Sequence, residues 1–138
     1  MKILRALALC LAVVAVPATA GRASMIVVNH ENVQLANAAG QPASAEQIRR
    51  AFESAATARG WKITHEAPGK MLASFNKQNK HMISCEITYS AGVFSLKYRD
   101  SLNMRYQPAG DGQGTIHPHY NKWVDFLIED ARAALAKS

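Results

Sequence analysis

The densest cluster of chemically capable side chains in this 138-residue chain is His117-Pro118-His119-Tyr120-Asn121-Lys122-Trp123. Two imidazoles at i and i+2 are able to hold a transition metal from a loop or strand, with His30, His65 or His81 completing the ligand set. Pro118 argues against that reading. Proline suits the first position of a helix, which makes His117 the residue that caps it. Side chains two apart on a helix diverge by roughly 200°, from 3.6 residues per turn. No cysteine pair or nearby carboxylate reinforces the spacing, so no metal ligands are assigned. Asn121 is a poor helix former one turn into the helix, and its amide is suited to bonding the preceding loop.

A second cluster, Asp100-Ser101-Leu102-Asn103, has the residue types of a turn anchored by side-chain hydrogen bonds to the backbone. A hydrolytic enzyme would take His117 as general base, with Asp100 orienting it. A triad of Ser101, a histidine and Asp100 is disfavoured, because sequence neighbours rarely reach that geometry and the chain has no G-x-S-x-G elbow. Cys85 falls on the dry phase of a central strand, which predicts an inert buried thiol. No Gly-rich phosphate loop follows a strand, so neither a nucleotide nor another cofactor is expected. Asp100, Ser101, Asn103, His117, Tyr120 and Asn121 are therefore a candidate binding set with no catalytic residue assigned. They flank the junction of the last strand and the last helix, and the expectation is that they meet in space.

The elements that place these residues are legible from periodicity. Ser44 with Gln47 makes a capping box. Ile48, Ala51, Phe52 and Ala55 follow at helical spacing, and Gly60 stands where a helix ends in a left-handed turn. Trp61, Ile63 and His65 then alternate with polar residues before Pro68-Gly69. Met71, Ala73 and Phe75 alternate before a polar turn at 77–80. Ile83, Cys85, Ile87 and Tyr89 alternate before Ser90-Ala91-Gly92, and Phe94, Leu96 and Tyr98 alternate after it. Four successive period-2 runs with short connections predict an antiparallel meander with one dry and one wet face. A final helix over about 118–136 buries Tyr120, Trp123, Leu127, Ala131 and Leu135. The order (β)-α-β-β-β-β-α is that of an α+β two-layer sandwich, a four-stranded sheet with two helices on one face. Met25–Val28 is a short strand or docked extension, and Asn29–Ala43 reads as a linker.

The N-terminus sets the expected location. Lys2 and Arg5 precede an eleven-residue apolar run, Ala6–Val16, too short to cross a bilayer of roughly 30 Å. Pro17 and Ala18-Thr19-Ala20 complete a secretory signal cut before Gly21. The expected organisation is thus a signal at 1–20, an extension at 21–43 and one domain at 44–138. Lipid attachment at Cys10 is disfavoured by the bulky Leu9 before it. Cleavage leaves Cys85 as the single cysteine, no transmembrane segment, and a net charge of +4 in place of +6.

That charge is uneven. Residues 59–105 hold eight basic and three acidic side chains, while the flanks are close to neutral. Lys62, Lys70, Lys97 and Arg99 fall on the polar phase of their strands, which predicts a basic open face able to meet an anion. Lys97 and Arg99 join the candidate binding residues on that ground. Export and the lack of an aromatic ladder on that face exclude nucleic acid as a partner.

Arg59-Gly60-Trp61, Pro68-Gly69, Ile87-Thr88-Tyr89, Tyr98-Arg99-Asp100-Ser101-Leu102-Asn103 and Ile116-His117 with Tyr120-Asn121 and Trp123 carry a resemblance over roughly 44–135. Through them the chain resembles a family of small exported bacterial proteins, many of them lipoproteins, with no assigned activity. The resemblance implies export and an α+β domain. The expected function is a non-catalytic periplasmic domain that binds an envelope component or a partner protein. The alternatives are an enzyme using His117 as base, and a periplasmic metal-handling protein.

Overall fold

A computed structural model describes residues 23–110 and 113–138. The expected signal, with Cys10, lies outside them. Helix α1 spans Ala45–Arg59, and its capping box is formed: Ser44 Oγ accepts from Gln47 N at 3.1 Å, and Gln47 Oε1 accepts from Ser44 N at 3.0 Å. Gly60 closes it at φ 78°, a left-handed conformation that glycine adopts without a Cβ penalty. Strands β3 (Trp61–Ala67), β4 (Lys70–Lys77), β5 (His81–Ser90) and β6 (Val93–Leu102) form the expected meander. Helix α2 spans His119–Leu135.

The two helices cover one face of this sheet. Phe52 of α1 meets Phe94 of β6 edge-on with centroids 5.1 Å apart. Tyr120 of α2 reaches Cys85 of β5, with the two side chains 3.5 Å apart. Each large apolar side chain enclosed this way contributes roughly 1.5–3 kcal/mol. Trp123, expected in the core, is only half-buried; it leans on Phe75 with centroids 5.1 Å apart. Among the described residues no helix is long and apolar enough to cross a membrane.

The sheet has five strands, not four. Strand β2 (His30–Gln34) pairs antiparallel with β6, giving the order β2-β6-β5-β4-β3. It lies inside the stretch read as a linker. His-Glu-Asn-Val-Gln hides the strand because an edge strand needs few apolar residues, and only Val33 packs against the core. Asn32 interrupts it at φ 51°, where the register shifts. Val27, Leu35 and Ala43 are buried, so residues on both sides of β2 belong to the same core. Strand β1 (Met25–Ile26) does not join that sheet; it pairs with β7 (Thr115–Ile116) in a separate two-stranded ribbon.

Both edge strands are tied to the helices by histidine. His65 of β3 contacts Glu53 of α1 at 2.7 Å, and His30 of β2 lies 3.7 Å from Asp125 of α2. Burial holds the His30 pKa below its ordinary value of 6.5, outweighing the attraction of Asp125, and Arg132 lowers it further. The unfolded chain therefore binds this proton more tightly than the folded one. Stability from this site is present above pH 6.5 and is lost as pH falls through the lowered value. Thermal melts at pH 7.5 and pH 5 check this. His30→Gln should fall less on acidification than the wild type, and an equal or larger fall would count against the assignment.

Candidate functional site

The strand β6 and the segment after it form a hook over 98–106. Its shape starts with a bulge. Tyr98 pairs with Cys85, but the next pair is Asp100 with Ser84, so Arg99 is an extra residue. The extra residue resets the alternation and puts Ser101 opposite Ile83, on the covered face. Asp100 and Leu102 are left on the open face, and Leu102 is 64% exposed. Beyond the strand, Asn103 and Arg105 take left-handed backbone conformations at φ 59° and 53°. Asparagine tolerates this region better than most residues.

Side chains then fix the hook. Asp100 Oδ1 accepts from Ser101 N at 2.8 Å, but both residues belong to β6 and not to a turn after it, since the bulge at Arg99 lets the strand continue to Leu102. Asn103 latches the hook to the β4–β5 turn. Its Nδ2 donates to the Lys80 carbonyl at 2.8 Å, and its own carbonyl accepts from His81 Nδ1 at 2.9 Å. Ser101 Oγ and the Tyr98 hydroxyl are 2.7 Å apart. The Tyr98 ring stacks on Tyr106 at 4.2 Å and meets Tyr120 edge-on at 5.5 Å. The result is an open cleft of about 590 Å³ whose walls include Tyr98, Tyr106, Arg99, Leu102 and Arg105.

The start of α2 lies against this hook. His117 N donates to the Met104 carbonyl at 2.9 Å, which joins the two segments that the sequence places at one junction. Pro118 has helical dihedrals of −54° and −27°, so His117 acts as the cap. Its Nδ1 accepts from His119 N at 3.1 Å. That bond engages the Nδ1 lone pair and puts the proton of the neutral ring on Nε2, an arrangement that serves a cap better than a general base. The His117 and His119 rings are 4.6 Å apart, and His119 stacks on Trp123. Among the described residues no three His, Cys, Asp or Glu side chains converge as a metal ion would require.

Tyr120 and Asn121 point away from the cleft's opening. Tyr120 is fully buried. Burial raises its phenol pKa well above the ordinary value, and the Cys85 thiol beside it adds to the rise. Burial likewise pushes the Cys85 thiol up to about 12, which agrees with an inert sulfur. Asn121 does not bond the preceding loop. Its Oδ1 accepts from Val28 N at 3.0 Å and its Nδ2 donates to the Ile26 carbonyl at 2.9 Å, so it clamps the N-terminal segment.

On the open sheet face the cations are matched by carboxylates. Lys97 Nζ lies 3.1 Å from Glu31, Lys70 Nζ lies 3.5 Å from Glu86, and Arg99 pairs with Glu66. Glu31 comes from β2, the strand not read from the sequence. With Lys62 and Asp100 the face carries four charges of each sign among the described residues. Arg59 pairs with Asp130 of α2. Lys77 ends β4 and Lys80 lies in the β4–β5 turn whose carbonyl Asn103 holds, while Arg105 lines the cleft. Arg105 and Tyr106 were not singled out by sequence reasoning. The one local signal is the irregular stretch that follows the last strand, with Asn103 at its start.

Comparison with protein-family models, with curated proteins and with solved structures found no match.

Proposed function

We propose that this chain is a non-catalytic exported domain that binds an anionic group of an envelope component or partner protein in the cleft of the hook. The observation that carries the reading is the latched cleft itself. Its tyrosine wall is stacked, its floor is tied to the neighbouring turn through Asn103, and its exposed lip is Leu102. A concavity already held in shape loses little conformational freedom on binding. Lys77 and Lys80, at the turn to which Asn103 latches the hook, set the sign of the expected partner. The secretory signal and the resemblance to small exported bacterial proteins support a place in the envelope.

The test uses a photo-reactive amino acid at Leu102 in the full-length gene, with the same group at the exposed Thr57 of α1 as control. Irradiated cells should give a discrete adduct from position 102 that position 57 lacks. The adduct should weaken several-fold in a Lys77→Glu/Lys80→Glu background. Identical adducts from both positions, or no response to the charge reversal, would count against the cleft. The mass of the recovered chain separately reports export, since cleavage before Gly21 is expected.

A further inference from the structure

Backbone pairing lapses in the hook. The ladder with β5 ends where Leu102 stands opposite Met82, and pairing resumes only where Gln107 N donates to the Thr115 carbonyl at 2.9 Å. Between them, the N–H groups of Asn103, Met104 and Tyr106 have no acceptor among the described residues. Met104 is the telling case. The residue is only 2% exposed and its carbonyl accepts from His117 N, yet its own N–H is unmatched. Folded proteins rarely leave an enclosed N–H without an acceptor, because its lost hydration is then uncompensated.

All three residues line the cleft. The backbone changes hand from one to the next: Asn103 and Arg105 have φ of 59° and 53°, while Met104 between them lies at negative φ. Alternation of hand turns successive N–H groups towards a common concavity, the device that holds anions in phosphate loops. The charges nearby allow an anion. Arg105 lines the cleft, and Lys80 stands in the turn whose carbonyl Asn103 holds. Asp100 is the one carboxylate on the cleft wall among the described residues, and its Oδ1 is engaged by Ser101 N. Donors without acceptors call for a ligand rich in lone pairs and argue against a cation.

We infer that the hook cradles a phosphate group, whose oxygens accept from the N–H groups of Asn103, Met104 and Tyr106. The inference rests on the anion reading of this cleft and names the chemistry of what enters it. A tetrahedral oxyanion presents three oxygens to one side and so matches three donors, where a carboxylate presents two. Bonds from N–H groups to a charged oxygen are the stronger kind, and they require no cation in direct contact.

The test uses nitrogen-15-labelled protein produced from its full-length gene and purified as the cell processes it. Amide spectra are recorded at pH 7.5 while inorganic phosphate, glycerophosphoglycerol or acetate is added at constant ionic strength. Phosphate should move the amide protons of Asn103, Met104 and Tyr106 downfield along saturable curves, and acetate should bind several-fold more weakly. Tighter binding of the headgroup diester than of inorganic phosphate assigns the group to a lipid, and the reverse order assigns it to a free phosphate or monoester. Asp100→Asn keeps an acceptor for Ser101 N while removing the carboxylate, so it should tighten phosphate binding by about threefold. Shifts that do not saturate, that acetate matches, or that centre outside 103–106 overturn the inference. So does an Asp100→Asn variant that binds phosphate no more tightly than wild type. A charge-sensitive adduct at position 102 without these amide responses overturns the phosphate assignment alone. Saturable amide shifts with no such adduct support the phosphate site and overturn the partner reading alone.

Discussion

Truncating Tyr120 to alanine should destabilise the fold by about 3–5 kcal/mol, whereas Tyr120→Phe should cost about 1 kcal/mol. Tyr120 is fully buried, and its ring is the edge-on partner of Tyr98 behind the cleft wall. Alanine leaves a cavity between α2 and the sheet, and removes the support on which the Tyr98–Tyr106 stack rests. Phenylalanine keeps the ring and gives up only the 3.5 Å contact between the hydroxyl and Cys85. A thiol is a weak hydrogen-bond partner, so little is left unsatisfied. Urea unfolding followed by near-ultraviolet circular dichroism measures both. Reaction of Cys85 with a thiol reagent gives a second reading, since the buried sulfur should react only in step with unfolding. An alanine variant within about 1 kcal/mol of wild type would show that the residue does not support the core, and would return it to the binding residues.

The second large effect is expected at Gly114, outside the hook it shapes. A Cβ there would lie 2.5 Å from the Gln107 carbonyl and 2.6 Å from Tyr106 Cε2. The carbonyl cannot retreat cheaply, because Gln107 and Thr115 exchange two backbone hydrogen bonds of 2.9 Å. The Tyr106 ring must therefore give way, and with it the stack on Tyr98. Gly114→Ala should cost about 1–3 kcal/mol as an overpacking change. It should also lower adduct formation from a photo-reactive group at position 102, since the cleft wall moves. The Gly114 carbonyl accepts from Val27 N, so amide exchange at Val27 should rise as well. Wild-type stability and exchange in Gly114→Ala would mean that Tyr106 is not packed over this glycine.

These two positions show how far local pattern reaches. Tyr120 was legible as part of an apolar helical stripe, and the same letter sequence made it look like a member of a polar cluster beside His117 and Asn121. Periodicity was the better guide, because a side chain at a core phase of an amphipathic helix is carried inward whatever its chemistry. Helix α1 was legible down to its capping box, since every part of that device lies within four residues. The meander was legible because each strand alternates and each connection is short. Strand β2 was not, because an edge strand in partial contact with the core imposes no alternation. The bulge at Arg99 was not, because an extra residue shows only against its partner strand. Gly114 carried no signal at all, since what forbids a Cβ there is a carbonyl seven residues away and a ring folded back over it.

The candidate site divides along the same line. Asp100 and Ser101, read as a turn after the last strand, lie within β6 because the strand runs on to Leu102, while His117 caps the last helix as Pro118 implies. Those are short-range bonds. Asn121 instead reaches Ile26 and Val28, more than ninety residues away in the chain. Arg99 reaches Glu66, and Lys97 meets Glu31 from a strand that the sequence hides. The net positive charge of 59–105 is a property of composition, but its placement is not. By itself the sequence determined the α+β class, both helices, four of the strands and the caps, because the forces that set them act between near neighbours. Only the tertiary structure decided which charges neutralise one another, where the cations gather, what Asn121 holds and where a cleft opens. Those outcomes depend on distant segments brought together by burial of the common core, and no local spacing records which segments will meet.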